Sequence, residues 1–204
     1  ISNAIGQGEV LLTPIQLANM MATVSNHGYY YTPHIIKKIE GRKIDTKFTT
    51  KHVTTINKKY FKPIIEGLFD VYNFGTAHGL NVEGIDICGK TGTAENFTKI
   101  GGKRVQLKDH SIFVAFAPKD NPKIAIAILV ENGGFGATIA GPIASLMIEK
   151  FIKRKITRKD LETRILAKDL QPEYNRFISN PVKDTLINTK VTTPDKVVVK
   201  SSVK

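Results

Sequence analysis

The chain has 204 residues, is 41% hydrophobic and carries a formal net charge of +12, enough for one full core with an appendage. Its longest unbroken apolar run, Ile124 to Val130, is far short of a membrane span. The charge is uneven, with 13 Lys and Arg against 6 Asp and Glu in residues 151–204 and 17 against 12 in the first 150. The basic residues are scattered and not interleaved with aromatics, which favours a solvated basic face over a nucleic-acid surface.

The chain opens at Ile1 without a charged-then-apolar leader. It reads as a piece of something longer, with any targeting or anchoring segment outside it. Thr13-Pro14 predicts a helix start, a hydroxyl cap followed by proline at the first helical position. Leu17, Met20, Met21 and Val24 then recur at helical spacing, and Asn26-His27-Gly28 closes the segment. Tyr29 to Lys38 is expected to be extended, interrupted at Thr32-Pro33. A second helix is predicted from about Asn57 to Asn73, with Phe61, Ile64, Ile65, Leu68 and Tyr72 on its apolar face and Gly75 after its end.

Three strands follow: roughly Ile85 to Ala94, Ser111 to Ala117, and Lys123 to Val130. The loop Pro118-Lys-Asp-Asn-Pro122 between the last two is rich in turn residues and too short for a parallel crossover, so it predicts an antiparallel hairpin. Alternating large and small residues predict a sheet covered on both faces. A third helix, about Ala137 to Lys155, offers a stripe of Ile139, Ile143, Leu146, Met147 and Phe151 as one cover. Thr157 to Leu170 fits a charged amphipathic helix. Gln171 to Lys204, polar and punctuated by proline, is expected to be a poorly ordered tail.

Cys88 is the sole cysteine, so no internal disulfide forms, and a small buried thiol is expected. His27, His34, His52, His78 and His110 show no ligand spacing, so a metal site has little support.

Gly84-Ile-Asp-Ile-Cys-Gly-Lys-Thr91 fits the phosphate-loop pattern G-x-x-x-x-G-K-[ST]. A phosphate loop needs a buried strand before it, a glycine-rich cradle and a helix starting at the lysine. Thr76 to Glu83 is a poor buried strand, the four middle residues favour a strand, and nothing after Gly92 forms a helix. A nucleotide is therefore not the expected ligand. The same residues also read from Lys90 as K-T-G-T. On a strand, Lys90 can polarise a neighbouring hydroxyl, Thr91 and Thr93 can bind a carboxylate, and a backbone N–H can face an oxyanion. Gly92, lacking a Cβ, lets a substrate backbone approach. A lone K-T-G triplet is weak; a polar edge strand would carry it equally well.

The surrounding sequence decides between these. Ala4 to Asn19, Gly89 to Glu95, His110 to Pro118 and Val130 to Gly134 follow in the order found in class B penicillin-binding proteins, the D,D-transpeptidases that cross-link peptidoglycan, which this chain resembles over about residues 1–155. Ile5-Gly-Gln-Gly8 is most similar to the elongation-type branch, penicillin-binding protein 2. The resemblance implies an α/β fold, an antiparallel sheet flanked by helices as in penicillin-binding proteins and serine β-lactamases, here as the C-terminal half of the transpeptidase domain. Residues 156–204 would be a charged extension, in part disordered.

The resemblance implies that Lys90 holds and polarises the serine of the family's S-x-N motif. Thr91 and Thr93 would bind the carboxylate of a D-Ala-D-Ala stem or a β-lactam, and the Thr93 N–H would form half of the oxyanion hole. It also implies a periplasmic location, an N-terminal anchor in the inner membrane, and a membrane glycan polymerase and cell-elongation proteins as partners. It implies no metal or organic cofactor. No S-x-N triplet occurs in this sequence. Its one S-x-x-K string, Ser201 to Lys204, follows K-T-G and ends a polar tail, so it does not match the family nucleophile. This piece alone is expected to be inactive. Cys88 stands where the family commonly has alanine, and Ile112 where it often has tryptophan. A non-catalytic envelope module of the same fold is the alternative reading.

Overall fold

A computed structural model describes residues 10–178 together with Gly6 and Gly8. The first helix, α1, spans Pro14–Ser25, and the Gln16 side chain accepts hydrogen bonds from the Thr13 N–H and hydroxyl at 2.8 and 3.0 Å. His27 and Gly28 take positive φ and end it, as the sequence predicts. The expected extended segment shrinks to β1, Tyr29–Tyr30, which pairs with β2, His52–Val53, across an excursion that holds the short α2, Thr46–Thr49. A 3₁₀ turn at Lys58–Tyr60 leads into α3, Phe61–Asn73. Phe61, Ile65 and Tyr72 of the predicted face are buried, whereas Ile64 is half exposed.

The central sheet has three strands in the order β3 (Cys88–Ala94), β6 (His110–Ala117), β7 (Ile124–Val130), all antiparallel. The strand predicted from Ile85 begins only at Cys88, because Val82 to Ile85 closes as a bridge with Gly84 at φ 70°. Between β3 and β6 lies a ribbon that the sequence reading missed, β4 (Phe97–Ile100) paired with β5 (Lys103–Gln106). Gly101 and Gly102 turn it at φ 57° and 76°, the backbone that a two-residue hairpin demands.

Both faces of the sheet are covered, as expected. Met21 of α1 and Phe61 and Ile65 of α3 pack on one face against Cys88 and Phe116. The opposite face sets Phe113, Ala115, Ala117 and Ile126 against α4, Ala140–Lys153. The residues of α4 that meet the sheet are Ala140, Ala144, Ile148 and, partly buried, Ile152. The predicted stripe is therefore rotated: Ile143, Met147 and Phe151 line a groove between α4 and α5, Lys159–Leu166, and Met147 stays half exposed. Ala140 and Ala144 let the start of the helix approach the sheet closely, and Ile148 and Ile152 continue the same i, i+4 row.

Two further findings concern the C-terminal part. Gln171–Ile178, expected as unordered tail, forms α6, where Lys108 pairs with Glu173 at 3.3 Å and the Tyr174 hydroxyl donates to the Glu131 carbonyl. Residues 179–204 lie outside the described residues. Arg158 reaches back into the core, where its Nε meets the fully buried Glu149 carboxylate at 3.0 Å. Its Nη1 donates to the carbonyls of Leu80 and Asn81 at 3.1 and 3.2 Å. Among the described residues no helix is long and apolar enough to cross a membrane.

Candidate active site

β3 carries Gly89-Lys-Thr-Gly-Thr93 along the outer edge of the sheet, with β6 as its sole strand neighbour among the described residues. The pleat sends successive side chains to opposite faces. Lys90 and Gly92 share a face with Val114 and Ile112, while Thr91 and Thr93 share the other with Phe113 and Ser111. The Lys90 side chain curls back across the edge, and its Nζ donates to the Thr91 carbonyl at 3.0 Å and the Thr91 hydroxyl at 3.4 Å. The Thr91 carbonyl thus points away from β6. By the period of two, the Thr93 N–H and C=O lie on the same open edge. An ammonium, a hydroxyl and backbone groups turned away from β6 converge there, a set able to bind an extended peptide and its carboxylate.

The phosphate-loop pattern has no phosphate-loop geometry. Cys88 already lies in β3, Lys90 is a strand residue, and no helix starts there. Cys88 itself is fully buried, as predicted, and burial pushes its thiol up to about 12. It stays a protonated packing group beside the motif. Among the described residues no group of three or more His, Cys, Asp or Glu side chains is placed to hold a metal.

The loop after β7 packs closely against β3 and β6. A Cβ on Gly136 would fall 2.6 Å from the Gly92 carbonyl, and one on Gly133 would fall 2.8 Å from the Ser111 Cβ. Ser111, fully buried opposite Thr93, donates to the Phe135 carbonyl at 3.0 Å and accepts from the Ala140 N–H at 3.1 Å. Asn96 donates to the Asn132 side chain at 2.7 Å, and the Asn132 N–H donates to His110 at 3.1 Å. Gly92 also has an internal neighbour, since a Cβ there would lie 3.2 Å from the Cβ of Ile112.

One partner of the motif was invisible in the sequence. Thr76, in the loop after α3, places its hydroxyl 2.8 Å from that of Thr91. Only the flanking Gly75 marks this stretch as a loop, and nothing in it signals a pairing fifteen residues away.

Comparison with known proteins fits this geometry. A family model described as penicillin binding protein transpeptidase domain matches residues 1–149. Peptidoglycan D,D-transpeptidase MrdA from Acinetobacter baumannii is 36% identical over 153 residues, 69% of this chain and 22% of that protein. Peptidoglycan D,D-transpeptidase PbpA from Mycolicibacterium smegmatis is 30% identical over 154 residues, 72% of this chain and 30% of the relative. Among solved structures, penicillin-binding protein A from M. tuberculosis, as an imipenem acyl-enzyme complex, superposes with a TM-score of 0.60 at 29% identity, covering 74% of this chain and 33% of that one. Pseudomonas aeruginosa PBP2 in complex with WCK 5153 gives 0.60 at 30% identity, covering 77% and 34%. The chain spans between 22% and 30% of the length of these two curated relatives. It belongs to the penicillin-binding protein transpeptidase family, as part of the transpeptidase domain of a class B penicillin-binding protein.

Proposed function

We propose that this chain supplies the K-T-G-T strand of a serine-type peptidoglycan D,D-transpeptidase, and that the nucleophilic serine comes from a segment outside this sequence. The observation that carries the reading is the meeting of Lys90 Nζ, the Thr91 hydroxyl and the outward backbone of Thr91 and Thr93 at the open edge of β3.

In this reading the donor stem peptide lies along that edge as an added strand. Its terminal carboxylate accepts hydrogen bonds from Thr91 and Thr93, and Gly92 admits its backbone. The serine oxygen attacks the D-Ala–D-Ala carbonyl while the Thr93 N–H donates to the developing oxyanion. Lys90 holds and polarises the S-x-N serine, through which a proton reaches the departing amine of the terminal D-Ala. The resulting ester is then attacked by an amine of a second stem, which forms the cross-link and returns the serine. A β-lactam enters by the first step and remains as the acyl-enzyme. In this reading the protein works at the periplasmic face of the inner membrane, anchored by an N-terminal segment. It would be coupled there to a membrane glycan polymerase and to cell-elongation proteins.

A fluorescent penicillin tests this. The full-length protein should label covalently, and this chain alone should not, since it holds no matching nucleophile. Lys90→Ala in the full-length protein should slow acylation by roughly a hundredfold, the scale of losing one preorganised electrostatic partner. Covalent labelling of the chain alone, or normal acylation with Lys90→Ala, would refute the reading.

A further inference from the structure

The loop between α3 and β3 is held from behind more firmly than a surface connection requires. Ala77 and Leu80 are buried in the core. The Leu80 carbonyl accepts from the Ser145 hydroxyl of α4 and from Arg158 Nη1. Arg158 is in turn fixed by the Glu149 carboxylate. A Cβ on Gly141 would fall 2.6 Å from the Leu80 side chain, so helix and loop are in close contact there. At its other end His78 bonds the Asn73 carbonyl through Nδ1 at 2.8 Å, and Gly75 and Ala77 donate to Asp70 and Val71 at 3.2 Å. Between these fixings stands Thr76, exposed, with its hydroxyl 2.8 Å from that of Thr91.

We propose that Thr76 is a positioning residue for the carboxylate subsite, which rests on the transpeptidase reading above. A threonine hydroxyl has one proton to donate and rotates freely unless something accepts or donates to it. At the open edge the Thr91 hydroxyl already faces a donor, the Lys90 ammonium at 3.4 Å. If Thr76 donates as well, Thr91 receives two donors and its own proton points outward, towards the edge where a substrate carboxylate sits. Thr76 thus sets the direction of a hydrogen bond that it does not itself make to substrate. The anchored loop supplies the rigidity that such aiming needs.

The test uses the full-length protein and pairs a β-lactam bearing its free carboxylate with the methyl ester of the same compound. Thr76→Val keeps shape and removes the hydroxyl. It should lower the acylation efficiency of the free acid by roughly tenfold, the scale of one hydrogen bond to a charged group, and leave the ester within about twofold. The loss should fall on the pre-acylation binding constant rather than on the acylation rate at saturation. Thr76→Ser, which restores the hydroxyl, should recover the preference for the acid. Equal loss on acid and ester, or no loss on either, would overturn the proposal, as would failure of Thr76→Ser to rescue. Lys90→Ala separates the levels. If it slows acylation as expected while Thr76→Val changes nothing, only this inference falls; if it changes nothing, the site reading falls and this inference with it.

Discussion

Cys88 and Lys90 stand two residues apart on one strand and on the same face, yet one is fully buried and the other exposed. The difference comes from the ends of the strand: Phe61 and Ile65 of α3 close over Cys88, while the strand runs out to open edge at Lys90. Thiolate is the reactive form, and burial pushes the Cys88 thiol up to about 12. A maleimide should therefore leave the native protein unmodified and react once denaturant is added; stoichiometric modification of the native form would contradict this. The identity of Lys90, Thr91, Gly92 and Thr93 as a candidate site was legible because K-T-G-T is a local string in a recognisable order of neighbours. Thr76, Ser111 and Asn132 were not legible. Each acts through a partner distant in sequence, and a serine or asparagine looks the same in sequence whether it locks a strand or faces water.

Elements with strong local signals are the ones the sequence conveyed well. Thr13-Pro14 starts α1, and Pro118 to Pro122 folds β6 onto β7. The β4–β5 ribbon had a signal in Gly101-Gly102, but its flanking residues, Thr98-Lys-Ile100 and Lys103-Arg-Val105, carry too little apolar alternation to be read as strands. α4 shows the opposite error, a true helix with its face misassigned, since the row that meets the sheet, Ala140, Ala144, Ile148 and Ile152, opens with two alanines that an apolar stripe of large residues passes over. On that helix burial works to raise the Glu149 carboxyl. Hydrogen bonds from the Thr157 side chain and backbone, followed by Arg158, outweigh it and hold the carboxyl below its ordinary value of 4.5. The folded state then binds the proton less readily than the unfolded chain. The stability this group contributes is complete above pH 4.5 and is lost as pH falls through the depressed value. Glu149→Gln should therefore flatten the acid limb of the melting temperature against pH. Glu149→Ala should cost roughly 3–5 kcal/mol at neutral pH, since it leaves Arg158 without its counter-charge. An unchanged acid limb in Glu149→Gln would show that the depression does not couple to folding.

At the scale of the molecule, composition suggests a seam near residue 155 that the contacts cross. We propose that residues 156–204 are an extension to the transpeptidase part; its described portion is fastened there through Arg158, which ties Glu149 of α4 to the loop carrying Thr76. The sheet, its two covers and this fastening support β3 on every side but its outer edge, and such preorganisation is what the proposed acyl-transfer site needs before substrate arrives. The most direct measurement of that claim is a crystal structure of the full-length protein acylated by a penicillin. The account predicts the ligand lying antiparallel along β3, its carboxylate within hydrogen-bond distance of the Thr91 and Thr93 hydroxyls and its ester carbonyl oxygen facing the Thr93 N–H. An acyl group attached elsewhere, or a ligand that leaves the β3 edge empty, would contradict it.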